Sequence, residues 1–296
     1  MKKVVYVLLV LALILQIALL HSIMSGYELW KPRPKIASIH FINPRFYQGL
    51  ATDGERWFFS HRYSLYSTKL EDFQSILHVN EDAIPSELKR EGYDHIGDIE
   101  VYKGKIYAPL EDKLYTKPLI ALYSADTLEY LGSIGPLPQK HMPWCTVDPN
   151  SEAILSSEFD NVNEVYVYDM NGNLIDKIKL SKTLNRVQGG KILGRHLYLT
   201  ADDGGDTVYK IDIETGEVNV FLKIPTPFEM EGIEYLGERL YVIVAIGGFK
   251  TNLLFIIDFS KQSINAATAS YLLILSIAFT LAAMYIVARK TRTVTQ

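Results

Sequence analysis

Five side chains suited to chemistry recur at one place in a repeating pattern. Gln48, Asp98, Cys145, Gln188 and Glu231 each lie six residues before a turn residue, namely Gly54, Gly104, Ser151, Gly194 and Gly237. Polar and thiol groups stand there where apolar ones would fill a core. Carboxylate and amide oxygens gathered at one point suit hard cations, Ca2+ above all. The expectation is a divalent ion, calcium in the first instance, with Asp98 and Glu231 as ligands and Gln48 and Gln188 as further oxygen donors. The same ring filled with ordered water needs no metal, and both readings stay open. Cys145 has no activating base near it in sequence and reads as a small hydrophobe. Its neighbour Trp144 can stack on a ligand ring or fill a core.

His95 and His141 each precede one of these positions. If the fold brings them together, with Asp98 or Glu158 beside them, they can move protons as general acid and base. Further charged residues cluster in two sets of connections. One holds Asp94, His95, His141 and Glu229, and the other His61, Arg62, Glu111, Asp112, Glu158, Asp160, Asp202, Asp203 and Asp206. Gathered at one pole they would make an acidic funnel. The chain has no G-x-S-x-G, H-E-x-x-H or glycine-rich phosphate loop. Asp202-Asp203-Gly204-Gly205-Asp206 is too short for an EF-hand loop and reads as a hairpin connection.

The elements that must position these residues are repeated strands. Five segments share one plan: YQGLATDGERWFFS from Tyr47, IGDIEVYKGKIYAPL from Ile96, WCTVDPNSEAILSS from Trp144, VQGGKILGRHLYLT from Val187 and MEGIEYLGERLYVI from Met230. Each reads as a strand, a tight turn and a second strand entered by an apolar pair. The pairs are Trp57-Phe58, Ile106-Tyr107, Ile154-Leu155, Leu197-Tyr198 and Leu240-Tyr241, at intervals of 43 to 49 residues. A third strand alternates apolar and polar side chains, as in Thr207-Val208-Tyr209-Lys210-Ile211-Asp212, and a weaker fourth follows. Four strands per ~45 residues is the mark of a propeller blade. Between Ser38 and Phe259 the only helical signal is a turn around Ser86 to Glu91.

The stretches VYKIDIETGEV and ALYSADTLEYLG resemble the β-propeller superfamily of WD-type, YVTN and quinoprotein-like repeats, over about residues 38 to 262. The resemblance implies an all-β propeller of five four-stranded blades. It also implies that the loops leading into the inner strands share one face with the loops between second and third strands. There Gln48, Asp98, Cys145, Gln188 and Glu231 would ring the mouth of a central channel. A sixth blade can be assembled from Ser38–Ile42 and Leu253–Asp258. The preferred reading has the first of these join the last blade and close the ring, which removes exposed edges. No WD dipeptide and no tryptophan docking motif occurs, so pyrroloquinoline quinone is not implied.

The ends of the chain read as membrane segments. Val4 to Leu20 is broken only by Gln16 and follows Lys2 and Lys3. It is a signal-anchor or a signal peptide (residues 1–24), with no Ala-x-Ala cleavage site. Residues 25–37 form a linker. Residues 266–288 hold no charge and are followed by Arg289, Lys290 and Arg292, a stop-transfer pattern with a basic cytoplasmic tail, 289–296. The expectation is a plasma-membrane protein held in lipid by two helices, with the propeller on the extracytoplasmic side and the C-terminus in the cytoplasm. These end segments carry five basic residues and no acid, so the whole-chain charge of -4 leaves -9 for the middle.

Composition excludes several classes. At 48% hydrophobic residues with a small net charge the chain is not disordered. Its one cysteine rules out a disulfide scaffold, and an acidic balance argues against nucleic acid as partner. Two functions remain. One is a membrane-anchored module binding an extracellular protein or small molecule. The other is a divalent-cation-dependent propeller hydrolase or lyase.

Overall fold

The computed structural model describes residues 2–25, 34–247 and 251–259, and residues 273, 274, 276, 277 and 280. The chain divides into two units, Pro34–Phe259 and the paired ends Met1–Arg33 with Ser260–Gln296.

The first unit is a five-bladed β-propeller. Its first strand, β1 (Lys35–Ile42), belongs to the last blade. Blade 1 is β2 (Gly49–Thr52), β3 (Arg56–His61), β4 (Ser64–Lys69) and β5 (Asp72–Asn80). Blade 2 follows a one-turn helix and contains β6 (Tyr93–Ile96), β7 (Glu100–Tyr102), β8 (Lys105–Asp112), β9 (Leu119–Ser124) and β10 (Tyr130–Ile134). Blade 3 is β11 (Thr146–Asp148), β12 (Ala153–Ser156), β13 (Val162–Tyr168) and β14 (Leu174–Leu184). Blade 4 is β15 (Val187–Leu193), β16 (His196–Ala201), β17 (Thr207–Asp212) and β18 (Val218–Lys223). Blade 5 takes β19 (Glu229–Leu236), β20 (Arg239–Ala245) and β21 (Asn252–Asp258) and is completed by β1. The ring-closing reading therefore holds, and β1 begins a few residues before the expected boundary at 38. The helical signal at Ser86 is α2 (Ser86–Arg90), and α1 spans Lys2–Ser25.

Why each repeat carries an apolar pair is visible in the packing. The described residues contain five clusters of buried apolar side chains, one between each two neighbouring blades. Successive residues of a strand point to opposite faces, so each pair is split between two clusters. Trp57 packs towards blade 5 and Phe58 towards blade 2. Ile106 joins Phe58, while Tyr107 meets Ile154. Leu155 meets Leu197, Tyr198 meets Leu240, and Tyr241 returns to Trp57. Burying side chains of this size stabilises by roughly 1.5–3 kcal/mol each. A single pair thus glues its blade on both sides, and the ring closes through ten such residues.

Because blade faces point at neighbouring blades, the inner strands turn an unpaired backbone edge, not a row of side chains, to the axis. Blade 2 departs from the others. Its inner strand is broken between β6 and β7, both of which pair with β8. The break carries Asp98 inward, where it forms an isolated parallel bridge with Trp144.

The expected ends are reached only in part. Among the described residues no helix is long and apolar enough to cross a membrane. Of the span 266–288 five positions are described, and the tail 289–296 lies outside the described residues.

Candidate functional site

At the axis, Asp98 is fully buried and works as an acceptor. Its Oδ1 accepts the Leu50 N–H at 3.1 Å, and its Oδ2 accepts those of Gly190 and Ile233, both at 3.2 Å. These donors come from the inner edges of blades 1, 4 and 5. Burial pushes the carboxyl well above its usual range, against the pull of the three donors. There is no room for side chains here: a Cβ on Gly49, Gly189 or Gly232 would lie 2.4–2.8 Å from an Asp98 oxygen. Glu231 is also buried, and burial together with Glu229 and Asp98 pushes its carboxyl up.

A second polar layer was not foreseen. Lys191 Nζ lies 2.7 Å from Glu100 Oε1 and 2.8 Å from Glu234 Oε1. Thr146 Oγ1 donates to Glu100 at 2.6 Å, and the Thr52 N–H reaches Glu234 at 3.2 Å. Burial raises Glu234 to about 7 in spite of the ammonium beside it. Both layers satisfy backbone donors that a closed ring hides from water.

The two residues expected to ligate calcium, Asp98 and Glu231, are both buried near the axis. Both oxygens of Asp98 accept N–H groups, one on Oδ1 and two on Oδ2. Among the described residues no group of three or more His, Cys, Asp or Glu is placed to hold a metal ion. Trp144 fills a core, one of its two expected roles, and Cys145 is the small buried hydrophobe that the sequence indicates. The Trp144 ring packs over Gly190 with Nε1 donating to Ser157 Oγ at 3.0 Å. The Cys145 thiol lies at 3.5 Å from the Tyr107 carbonyl between blades 2 and 3. Gln188 is half-buried at a bulge.

The histidines do meet. Their shared partner is Glu111, not Asp98, and Glu158 reaches His141 only through backbone. Glu111 ends β8 and is the cross-strand partner of His95 on β6. Its side chain is wholly buried. Oε1 accepts the Met142 N–H. Oε2 lies 3.2 Å from His95 Nδ1 and 3.3 Å from His141 Nε2. The two rings hold Oε2 by charge and contact, although neither N–H meets it in ideal hydrogen-bond geometry. Burial pushes the carboxyl up, but His141 and His95 outweigh it, and the net result is below the ordinary value. Each imidazole is 24% exposed, so the pair is reachable from solvent while the carboxylate is not.

Both histidines are held in place. His95 Nε2 bonds Gln48 Oε1. The loop carrying His141 is fastened by Glu158, whose oxygens accept the N–H groups of Lys140 and His141 at 3.0 and 2.8 Å. Gln139, itself gripped by the Tyr168 hydroxyl at 2.7 Å, donates to the His141 carbonyl at 3.1 Å. Tyr115 and Phe159 flank the His141 ring at 4.2 and 4.9 Å. Beside this cluster lies a pocket of about 680 Å³ whose walls include Thr116, Gln139, Lys140, Glu158, Asp160 and Tyr166.

Several acids of the expected funnel are paired. Arg62 holds Asp94 at 2.9 Å, and Arg186 bridges Asp202 and Glu229. Asp203 accepts the Tyr209 hydroxyl at 2.5 Å. The site therefore has less free negative charge than the composition suggests.

No protein-family model matches the chain, and no curated protein matches it. Solved structures do resemble it. A luciferin-regenerating enzyme is 14% identical, with 72% of this chain and 76% of that one covered and a TM-score of 0.48. The WD40 β-propeller domain of Doa1 is 14% identical over 72% of this chain and 79% of that one, at 0.42. The Dos1 propeller is 12% identical over 71% and 66%, at 0.41. Such likeness concerns the fold alone.

Proposed function

We propose that the chain is a membrane-anchored, extracytoplasmic β-propeller that binds a ligand, a protein or a small molecule, at the pole bearing His95, Glu111 and His141. One observation carries the site: a buried carboxylate whose Oε2 lies between two solvent-reachable imidazoles. Burying a carboxylate is costly, and here two partly exposed imidazoles offset the cost. The neighbouring pocket, with Glu158, Asp160 and Tyr166 in its wall, is of ligand size. The propeller fold is consistent with a protein-binding module.

Anchoring is supported by the two apolar end segments and their basic flanks. It is also supported by α1, whose Val7, Leu11, Leu13, Ile14 and Ile17 are each more than half exposed, an apolar surface that water does not favour. The loops leading into the inner strands lie at one pole. The ends of the propeller, Lys35 and Asp258, are paired at the other.

The test uses the full-length chain in detergent micelles, screened by thermal shift against small acids, amines, sugars and peptides. Compounds that stabilise the wild type should lose their effect in His141→Ala and Glu111→Gln. Stabilisation that ignores both substitutions refutes the site. A second reading rests on the same observation: a carboxylate flanked by two imidazoles can orient them for acid-base catalysis. A stabilising compound that is converted, with conversion lost in His141→Ala, selects that reading.

A further inference from the structure

The single polar residue of the N-terminal apolar run has a partner near the other end of the chain. Gln16 Nε2 donates to Thr280 Oγ1 at 2.8 Å and lies 3.3 Å from Ser276 Oγ. Thr280 Oγ1 in turn donates to the Ser276 carbonyl one turn earlier, at 2.8 Å. Covering follows the same side. Ala12 and Gln16 of α1 are partly covered, whereas Leu11, Leu13, Ile14, Leu15 and Ile17 around them are exposed. In the other segment Leu273, Ser276 and Thr280 are partly covered, whereas Ile274 and Ile277 are exposed. Spacings of three and four residues put Ala12 with Gln16, and Leu273 with Ser276 and Thr280, on one helical face each; Ala18, also partly covered, lies off that face. An amide in hydrocarbon must find a partner within the protein, and small hydroxyl side chains permit close approach.

From this contact we infer that the N-terminal segment is retained in the mature protein and forms, with the C-terminal apolar segment, a two-helix anchor joined by Gln16, Ser276 and Thr280. The inference rests on the membrane reading above and decides what that reading left open. A cleaved signal peptide would leave Ser276 and Thr280 without their partner. A retained one makes the anchor a matched pair in which Gln16 specifies the facing sides.

The experiment uses the full-length chain expressed in membranes. Intact mass after extraction should include Met1 or residues directly after it, and loss of the first 20 to 26 residues overturns the proposal. A Gln16→Cys/Thr280→Cys variant should form an intramolecular disulfide on mild oxidation, found as a linked peptide after proteolysis. An Ile17→Cys/Ile274→Cys variant, on the exposed sides, should not. The native Cys145 is fully buried and out of reach. Equal cross-linking of both variants, none in either, or cross-links only between chains overturn the pairing. Carbonate extraction of the same samples reads the membrane assignment separately. Protein released by carbonate that still cross-links through 16 and 280 refutes the membrane reading and supports the pairing.

Discussion

Asp98 offers the sharpest perturbation, because one side chain serves three blades. Asp98→Ala removes the acceptor for the N–H groups of Leu50, Gly190 and Ile233. Each buried donor left without a partner costs roughly 1–3 kcal/mol. Shared strain makes the three less than additive, and about 3–6 kcal/mol is expected. That is a large part of the ~5–15 kcal/mol that holds a domain together. Asp98→Asn keeps one carbonyl oxygen, loses an acceptor at the other position, and should cost about 1–3 kcal/mol. The pH dependence adds a check. The folded-state pKa of Asp98 is raised, so its contribution is full below the ordinary carboxylate range and declines as pH rises through the folded value. Asn has no such dependence, and the gap between wild type and Asp98→Asn should narrow towards alkaline pH. Urea melts of the full-length chain in detergent, read by emission of the buried Trp57 and Trp144, measure all three proteins. An alanine variant within 1 kcal/mol of wild type, or an asparagine variant as damaged as alanine, would show that the axis is not pinned as described.

Three further outcomes follow from the same layer and from the histidine site. Gly190→Ala places a Cβ 2.3 Å from Trp144 Cε3, so the indole must move off Ser157; a loss of about 1–3 kcal/mol with altered tryptophan emission is expected, and unchanged emission refutes the contact. Lys191→Met leaves Glu100 and Glu234 buried without their cation, at a cost of about 3–5 kcal/mol near pH 8; the loss should shrink at pH 5 as a carboxyl takes up a proton, and pH-independent melts contradict it. The folded-state pKa of Glu111 is depressed, so its stabilising share is present above the usual glutamate value and lost as pH falls through the folded one. Wild type should therefore lose stability on acidification in a step that Glu111→Gln lacks, and parallel acid melts would count against the histidine pairing.

The blades were legible because each repeat must glue itself to two neighbours, and the apolar pair writes that requirement into consecutive residues. The closure by β1 was legible for a different reason, that joining it to the last blade removes exposed sheet edges. The axis was not. Counting six residues back from each turn ignores bulges between Val187 and Gly189 and between Met230 and Ile233, and it assumes that side chains point inward. They point sideways, which sends Trp144 and Cys145 into two different cores. The meeting of His95 and His141 followed from their places before adjacent inner strands. In the sequence Glu111 stands only as one of the charged residues of the second set of connections. The signal that could have singled it out is its position at the end of the buried run Ile106-Tyr107-Ala108-Pro109-Leu110, opposite His95. Glu100, Lys191 and Glu234 gave no signal, since their meeting depends on the curvature of the whole ring.

The blade shared by the two ends of the propeller has a bearing on biosynthesis. Asn252 reaches back to the Pro44 carbonyl across 208 residues of sequence, and β1 finds its neighbour only when β21 has been made. Contacts so distant along the chain form late. While a nascent chain grows, its first strand must wait with its backbone unsatisfied, and every stop short of Asp258 leaves a gapped circle with two sticky rims. Closure of the propeller thus waits for its last strand: until β21 is in place, β1 and β20 each keep an open edge.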